Sequence, residues 1–194
     1  MQTLLPRLLF DPAQPLPSTP LWLEIGFGAG EHLAWQAESA PQGTLIGCEV
    51  YRNGIAALLG QIERRGLANI RIWPDDARLL LDRLPDACLA RAFLLFPDPW
   101  PKARHAERRF VGPANLASLA RVMQPGAELR VATDDPTYLR WILDHLPVHP
   151  AFRWQVRGPA DWRTRPVDWP ATRYEEKARR EGRRPAFLRF FRTS

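Results

Sequence analysis

Metal and redox chemistry have little to work with in this chain, whose 194 residues hold 2 cysteines and 4 histidines. Cys48 and Cys88 stand far apart without a Cys-x-x-Cys spacing. That argues against a zinc site or a disulfide framework and for reduced, buried thiols. His145 and His149 have the four-residue spacing of helical ligands, but Pro147 between them breaks the helix that would align them. No metal is expected. Long apolar runs are missing too. Met1 to Pro20 carries two leucine pairs split by Pro6 and Arg7, with neither a membrane-length apolar core nor a signal cleavage pattern, so no membrane partner and a cytoplasmic location are expected. Lysine is scarce, 2 against 25 arginines, and no internal repeat or low-complexity segment interrupts the chain.

What is present is enough apolar sequence, 45%, for one globular domain over 1–194, and a net charge of +6 that is unevenly placed. Residues 157 to 192 hold eleven basic and five acidic side chains, so this segment carries the whole surplus and the remainder is neutral. A basic tail on a neutral body points to a polyanion partner, nucleic acid first. Single arginines in it, such as Arg179, Arg180, Arg183 and Arg184, also suit a solvated helix face paired with Glu175, Glu176 and Glu181. Trp162 and Trp169 read as anchors of an irregular loop.

Apolar strand-like runs alternate with segments of helical period. Residues 21–25, 44–50, 70–73, 92–96 and 128–133 read as strands, and 31–37, 53–65, 77–84, 113–122 and 138–146 as helices. This predicts an α/β fold with a mostly parallel central sheet, helices on both faces and a ligand crevice at the carboxyl ends of the strands. Beyond Phe152 a Trp- and Pro-rich stretch leads to a charged helical segment, 174–183, and a last apolar strand, 186–191.

The first strand runs into Leu23-Glu24-Ile25-Gly26-Phe27-Gly28-Ala29-Gly30. Glycines allow a tight turn and close backbone approach to a ligand. Residue 31 is Glu, so the Gly-x-Gly-x-x-Gly spacing of dinucleotide sites is not met. Glu24 ahead of the loop would repel a pyrophosphate but suits the amino group of an amino acid, a group that S-adenosylmethionine carries. Glu49, at the end of the second strand, can accept from ribose hydroxyls. Asp76 can reach an adenine edge or cap the next helix. Gly26, Gly28, Glu24 and Glu49 fit one ligand together.

At the end of the fourth strand, Phe96-Pro97-Asp98-Pro99-Trp100-Pro101-Lys102 is followed by Arg104, His105, Arg108 and Arg109. A carboxylate, an aromatic face and a row of cations in one short run can hold a nucleobase while phosphates meet the arginines. Read alone, the run is equally a stiff proline loop.

With these motifs in order, the chain resembles the bacterial single-chain tRNA (guanine-N7-)-methyltransferases. The likeness rests on Leu23 to Gly28, Ile46-Gly47-Cys48-Glu49-Val50, Asp76-Ala77, the proline-tryptophan run with its basic continuation, Ala132-Thr133-Asp134, and Thr172-Arg173-Tyr174-Glu175. It implies a Rossmann-like class I fold with an antiparallel C-terminal strand and S-adenosylmethionine as cofactor. It also implies cofactor contacts by Glu24, Gly26, Gly28, Glu49, Asp76 and Asp98, with Asp98 at the catalytic centre. Lys102, Asp134, Thr172, Arg173, Tyr174 and Glu175 would bind substrate, and Arg104, His105, Arg108 and Arg109 would touch RNA. Position 46 of tRNA is the implied target; monomer and homodimer stay open. Two departures stand out. Only about twenty residues precede the first strand, where the family has a longer basic extension, and Glu107 interrupts the basic run.

Guanine N7 carries an in-plane lone pair that is unprotonated at neutral pH, so methylation there needs no general base. The task is positioning and electrostatics. Asp98 can accept from guanine N1 and N2, orienting N7 and favouring the cationic product; Asp134 is the alternative holder. Two other functions remain open at this point. Asp98-Pro99-Trp100 approaches the loop of exocyclic-amine methyltransferases, and an RNA-binding protein could keep the fold without catalysis.

Overall fold

A computed structural model describes residues 4–194. Its framework is a seven-stranded sheet of β1 (Leu21–Ile25), β2 (Thr44–Cys48), β3 (Ile70–Trp73), β4 (Leu89–Leu95), β5 (Met123–Thr133), β6 (Phe152–Trp154) and β7 (Ala186–Arg192), in the order β3-β2-β1-β4-β5-β7-β6. The first five strands pair in parallel, whereas β7 runs antiparallel to both β5 and β6. The chain starts at β1, builds outward to β3, then returns to place β4 on β1's other side. That reversal opens a crevice beyond the carboxyl ends of the two strands.

Helices cover both faces, which is why the central strands are apolar on both sides. On one face α2 (Glu31–Ser39) and α3 (Arg52–Arg65) pack Leu33, Ala34, Leu58 and Ile62 with Leu45, Ile70 and Ile72 of the sheet. On the other, α4 (Ala77–Leu81), α5 (Pro113–Val122) and α6 (Pro136–His145) pack Leu80, Leu119 and Ile142 with Leu23, Leu94 and Leu129. The helix bounds follow local chemistry. Asp76 and Asp135 accept from backbone amides of the helices they open, and Gly66, at φ +64°, closes α3 in the left-handed conformation.

Several observed bounds differ from the sequence reading. β4 and β5 begin earlier than predicted, because a register shift and Gly126 at φ +80° carry the pairing through an irregularity. The three-residue β6, too short for a visible alternation, lies at the sheet edge. The basic run forms a 3₁₀ turn, Ala103–Arg108. The C-terminal charged helix, α8, covers Arg173–Arg180 and ends before Gly182, at φ +74°. Two further short helices, α1 (Leu5–Leu8) and α7 (Ala160–Arg163), complete the fold. After α1, Leu9 pairs with Ile72 and Phe10 donates its amide to the Ile72 carbonyl at 2.9 Å, covering the outer edge of β3. Among the described residues no helix is long and apolar enough to cross a membrane.

Candidate cofactor and base-binding crevice

The crevice has a volume of about 480 Å³, within the range of small-ligand sites, and Gly26, Gly28, Glu49, Asp76, Asp98 and Tyr174 all line it. Its floor is the glycine loop. Gly28 has φ +56°, and a Cβ there would sit 3.0 Å from the Tyr174 ring. Gly54, in the first turn of α3, is closer still: a Cβ would lie 2.3 Å from the Gly28 carbonyl oxygen. The helix can thus dock against the loop only through a residue without a side chain.

Glu49 ties the loop to β2. Its Oε2 accepts from the Gly28 amide at 2.8 Å, and Oε1 accepts from the amides of Val50 and Tyr51 at 2.8 and 2.9 Å. A carboxylate offers about four acceptor positions, so about one is left for the crevice. Asp76 caps α4 through the Arg78 amide and pairs with the Arg78 guanidinium at 3.0 Å, while still facing the crevice. Glu24 lies deeper, 3% exposed, with Oε2 at 2.7 Å from His32 Nδ1. It borders a small cavity of about 20 Å³ that shares Gly26, Leu95, Phe96 and Tyr174 with the main crevice.

The opposite wall is the loop after β4. Phe96 and Trp100 both adopt left-handed backbone, φ +51° and +43°, a costly state for large side chains that clusters at functional sites. Between them Asp98 is exposed, and no group among the described residues hydrogen-bonds or ion-pairs with its carboxylate. Arg109 pins the loop from below. It donates to the carbonyls of Pro99 at 3.0 Å and Trp100 at 2.9 Å, and its guanidinium stacks 4.7 Å from the Trp141 ring centre. Arg108 lies over the Trp100 ring at 4.8 Å, and His105 meets the same ring edge-on. Lys102 and Arg104 are exposed.

Placement separates the predicted residues into two groups. Arg109, expected among the surface RNA contacts, is 6% exposed and donates to two carbonyls of the loop that carries Asp98. Glu175, expected at the substrate, is 3% exposed and paired with Arg179 at 2.9 Å and Arg165 at 3.2 Å. Thr172 caps α8 by accepting from the Glu175 amide. Arg173 and Tyr174 do reach the crevice, and Arg173 donates its amide to Glu31 Oε2 at 3.2 Å. Asp134 stands apart, beside a separate pocket, with Arg183 Nε at 2.5 Å.

Sequence reading missed Gly54 and His32, and it named Phe96 and Trp100 without foreseeing their left-handed backbone. An Asn-Gly pair at a helix start was the available sign of the first; the others have no signal apart from neighbouring structure. Cys48 borders the crevice as well, but burial above all, then the charges of Asp76 and Glu49, push its thiol far up. It stays protonated and is a poor nucleophile.

The sheet order, the antiparallel β7 and a crevice at the β1–β4 reversal define the class I methyltransferase fold. An rRNA methylase from Streptococcus thermophilus shares this fold with a TM-score of 0.59 at 12% identity, over 92% of this chain and 90% of that one. The 16S rRNA methyltransferase KamB does so with a TM-score of 0.63 at 15% identity, over 90% and 88%. A family model described as "Putative methyltransferase" matches residues 18–188. A tRNA (guanine-N(7)-)-methyltransferase of Rhodospirillum rubrum is 56% identical over 95% of this chain and 71% of its own length. One from Paramagnetospirillum magneticum is 52% identical over 97% and 83%. The chain belongs to the tRNA (guanine-N(7)-)-methyltransferase family.

Proposed function

We propose that this chain, acting as one methyltransferase domain over residues 1–194 with the basic segment 157–192 built into it, methylates N7 of a guanosine in tRNA, the one at position 46. The observation that carries the reading is Asp98: a carboxylate unpaired among the described residues, on a pinned loop at the lip of a crevice whose other wall is the glycine loop. Its acceptors are free for guanine N1–H and N2–H, which leaves N7 facing the crevice. Asp134 is the weaker holder, because Arg183 occupies it.

The donor set fits S-adenosylmethionine. Glu24 is a buried carboxylate whose Oε1 accepts from nothing among the described residues, suited to an ammonium group. Glu49 keeps an acceptor for ribose, Asp76 stands where the adenine edge would lie, and Gly26 leaves open space for a ligand, since a Cβ there would meet nothing within 4 Å. When bound, the cofactor supplies an electrophilic methyl group on a sulfonium. The chain's own residues then need only hold N7 in line and exclude water. Arg108 lines the crevice, Lys102 and Arg104 are exposed in the same turn, and these cations would take phosphates, with His105 next to them. A cytoplasmic site of action accords with such a substrate.

Incubation with adenosylmethionine and unmodified tRNA, digestion to nucleosides and mass spectrometry should reveal 7-methylguanosine, and borohydride-aniline scission should map it to the variable loop. Folded protein that yields none would overturn the proposal. A protein that merely binds RNA would also show no thermal stabilisation by adenosylmethionine.

A further inference from the structure

Glu24 is the least exposed of the carboxylates at the crevice, and a buried carboxylate needs a partner. Its partner belongs to a buried chain that no surface motif discloses. His32, 3% exposed in the first turn of α2, places Nδ1 2.7 Å from Glu24 Oε2. Four residues on, Gln36 Nε2 lies 3.1 Å from His32 Nε2 and 3.4 Å from the backbone carbonyl of Asp168. The ring of Phe93 packs edge-on against the imidazole, with centroids 4.7 Å apart.

With the Gln36 amide placed as it is, these contacts fit one proton assignment. A backbone carbonyl only accepts, so the Gln36 atom facing Asp168 must be the amide nitrogen. The same nitrogen faces His32 Nε2, which must then be the unprotonated acceptor, leaving the proton on Nδ1 to be donated to Glu24. The imidazole thereby donates from Nδ1 to Oε2, which leaves Glu24 Oε1 without a partner among the described residues, on a side chain that lines the small cavity beside Gly26.

We infer that His32, set in this tautomer by Gln36, is a positioning residue that holds the Glu24 carboxylate aimed for the α-ammonium group of the cofactor. The inference rests on the proposed cofactor reading of Glu24. It assigns His32 no contact with the cofactor and no proton transfer. A protonated imidazole would cancel the charge of Glu24 and remove the reason for an ammonium group to bind there. The neutral tautomer keeps that charge.

The test compares two ligands by isothermal titration with the full chain. Adenosylhomocysteine carries the amino-acid group, and methylthioadenosine lacks it. His32→Leu should weaken adenosylhomocysteine by about ten- to a hundredfold, the worth of a hydrogen bond to a charged group, and leave methylthioadenosine within about twofold. His32→Asn, whose side-chain amide can donate in place of Nδ1, should restore much of the selectivity. Equal losses for both ligands would show that His32 serves packing alone and would overturn the inference, as would unchanged adenosylhomocysteine affinity. Wild-type protein that binds neither ligand would instead remove the cofactor reading beneath it. Should the leucine variant fail to fold, Gln36→Leu frees the tautomer and should cut the same selectivity; selectivity equal to wild type there would sink the idea.

Discussion

Arg109 donates to the carbonyl of Pro99 at 3.0 Å, and so grips the backbone one residue past Asp98 from the buried side. A second bond, to Trp100, fixes one of the two left-handed residues that bracket the acid. Arg109→Lys keeps a charge but loses the fork that spans both carbonyls. We expect kcat to fall about tenfold or more, as for a misplaced catalytic group, with tRNA affinity close to wild type. Arg108→Ala should do the reverse, weakening tRNA binding more than the methylation step. Steady-state kinetics and a filter-binding assay on the two variants separate these outcomes.

Asp98 is exposed and, among the described residues, unpaired, so Asp98→Asn should leave the melting temperature within about a degree or two. Single-turnover methylation with saturating tRNA should slow by on the order of a hundredfold, the usual scale for removing one electrostatic contact to a reacting group. Equal rates would remove Asp98 from the catalytic centre.

Gly54→Ala tests the packing beneath the cofactor. A methyl group 2.3 Å from a backbone oxygen cannot be accommodated by a side-chain rotation, so α3 must retreat from the glycine loop. Overpacking of this kind costs about 1–3 kcal/mol. Denaturant melts should show that loss, and adenosylmethionine should stabilise the variant less than it does the wild type.

Affinity for tRNA should fall steeply with salt. Lys102→Ala and Arg104→Ala should each reduce the log-log slope by about 0.7 to 0.9, the share of one neutralised phosphate. A flat salt dependence in the wild type would exclude the exposed cations as a phosphate surface.

Asp168 supplies a pH test. Burial by itself would raise its carboxyl, but the hydrogen bond and charge of Arg130 outweigh it and hold the group below its ordinary value of 3.8. A depressed folded pKa gives stability that is present above the unfolded value and is lost as pH falls through the folded one. Thermal melts should therefore weaken below about pH 4. Asp168→Asn should be less stable near neutrality and show a shallower acid decline.

The five strand-helix units were legible because period and length distinguish them without tertiary context. Glu49, Asp76 and Asp98 could be placed at one crevice for the same reason, since each follows a strand and parallel topology gathers such ends. Direction within irregular segments was not. Arg108 and Arg109 are neighbours in a basic run, yet one covers Trp100 and the other turns under the loop, a difference set by the 3₁₀ turn and by Trp141 from α6. Glu175 likewise reads as a surface acid of a charged helix until Arg165, ten residues earlier in the irregular stretch, is seen to enclose it. Trp169, expected as a loop anchor, is 2% exposed against Phe187.

The surplus positive charge lies in a segment that is woven into the sheet. Its last strand, β7, is an interior member, hydrogen-bonded to β5 on one side and β6 on the other, and Arg189 meets the buried Glu128 at 2.5 Å. Cutting the chain before residue 157 would therefore not yield a catalytic body lacking an RNA handle. It would strip β5 of its neighbour, leave Glu128 without one of its cations, and expose a long apolar edge that invites aggregation. In this protein, the surplus charge and the integrity of the fold belong to the same stretch of backbone, and only side-chain substitutions can separate them.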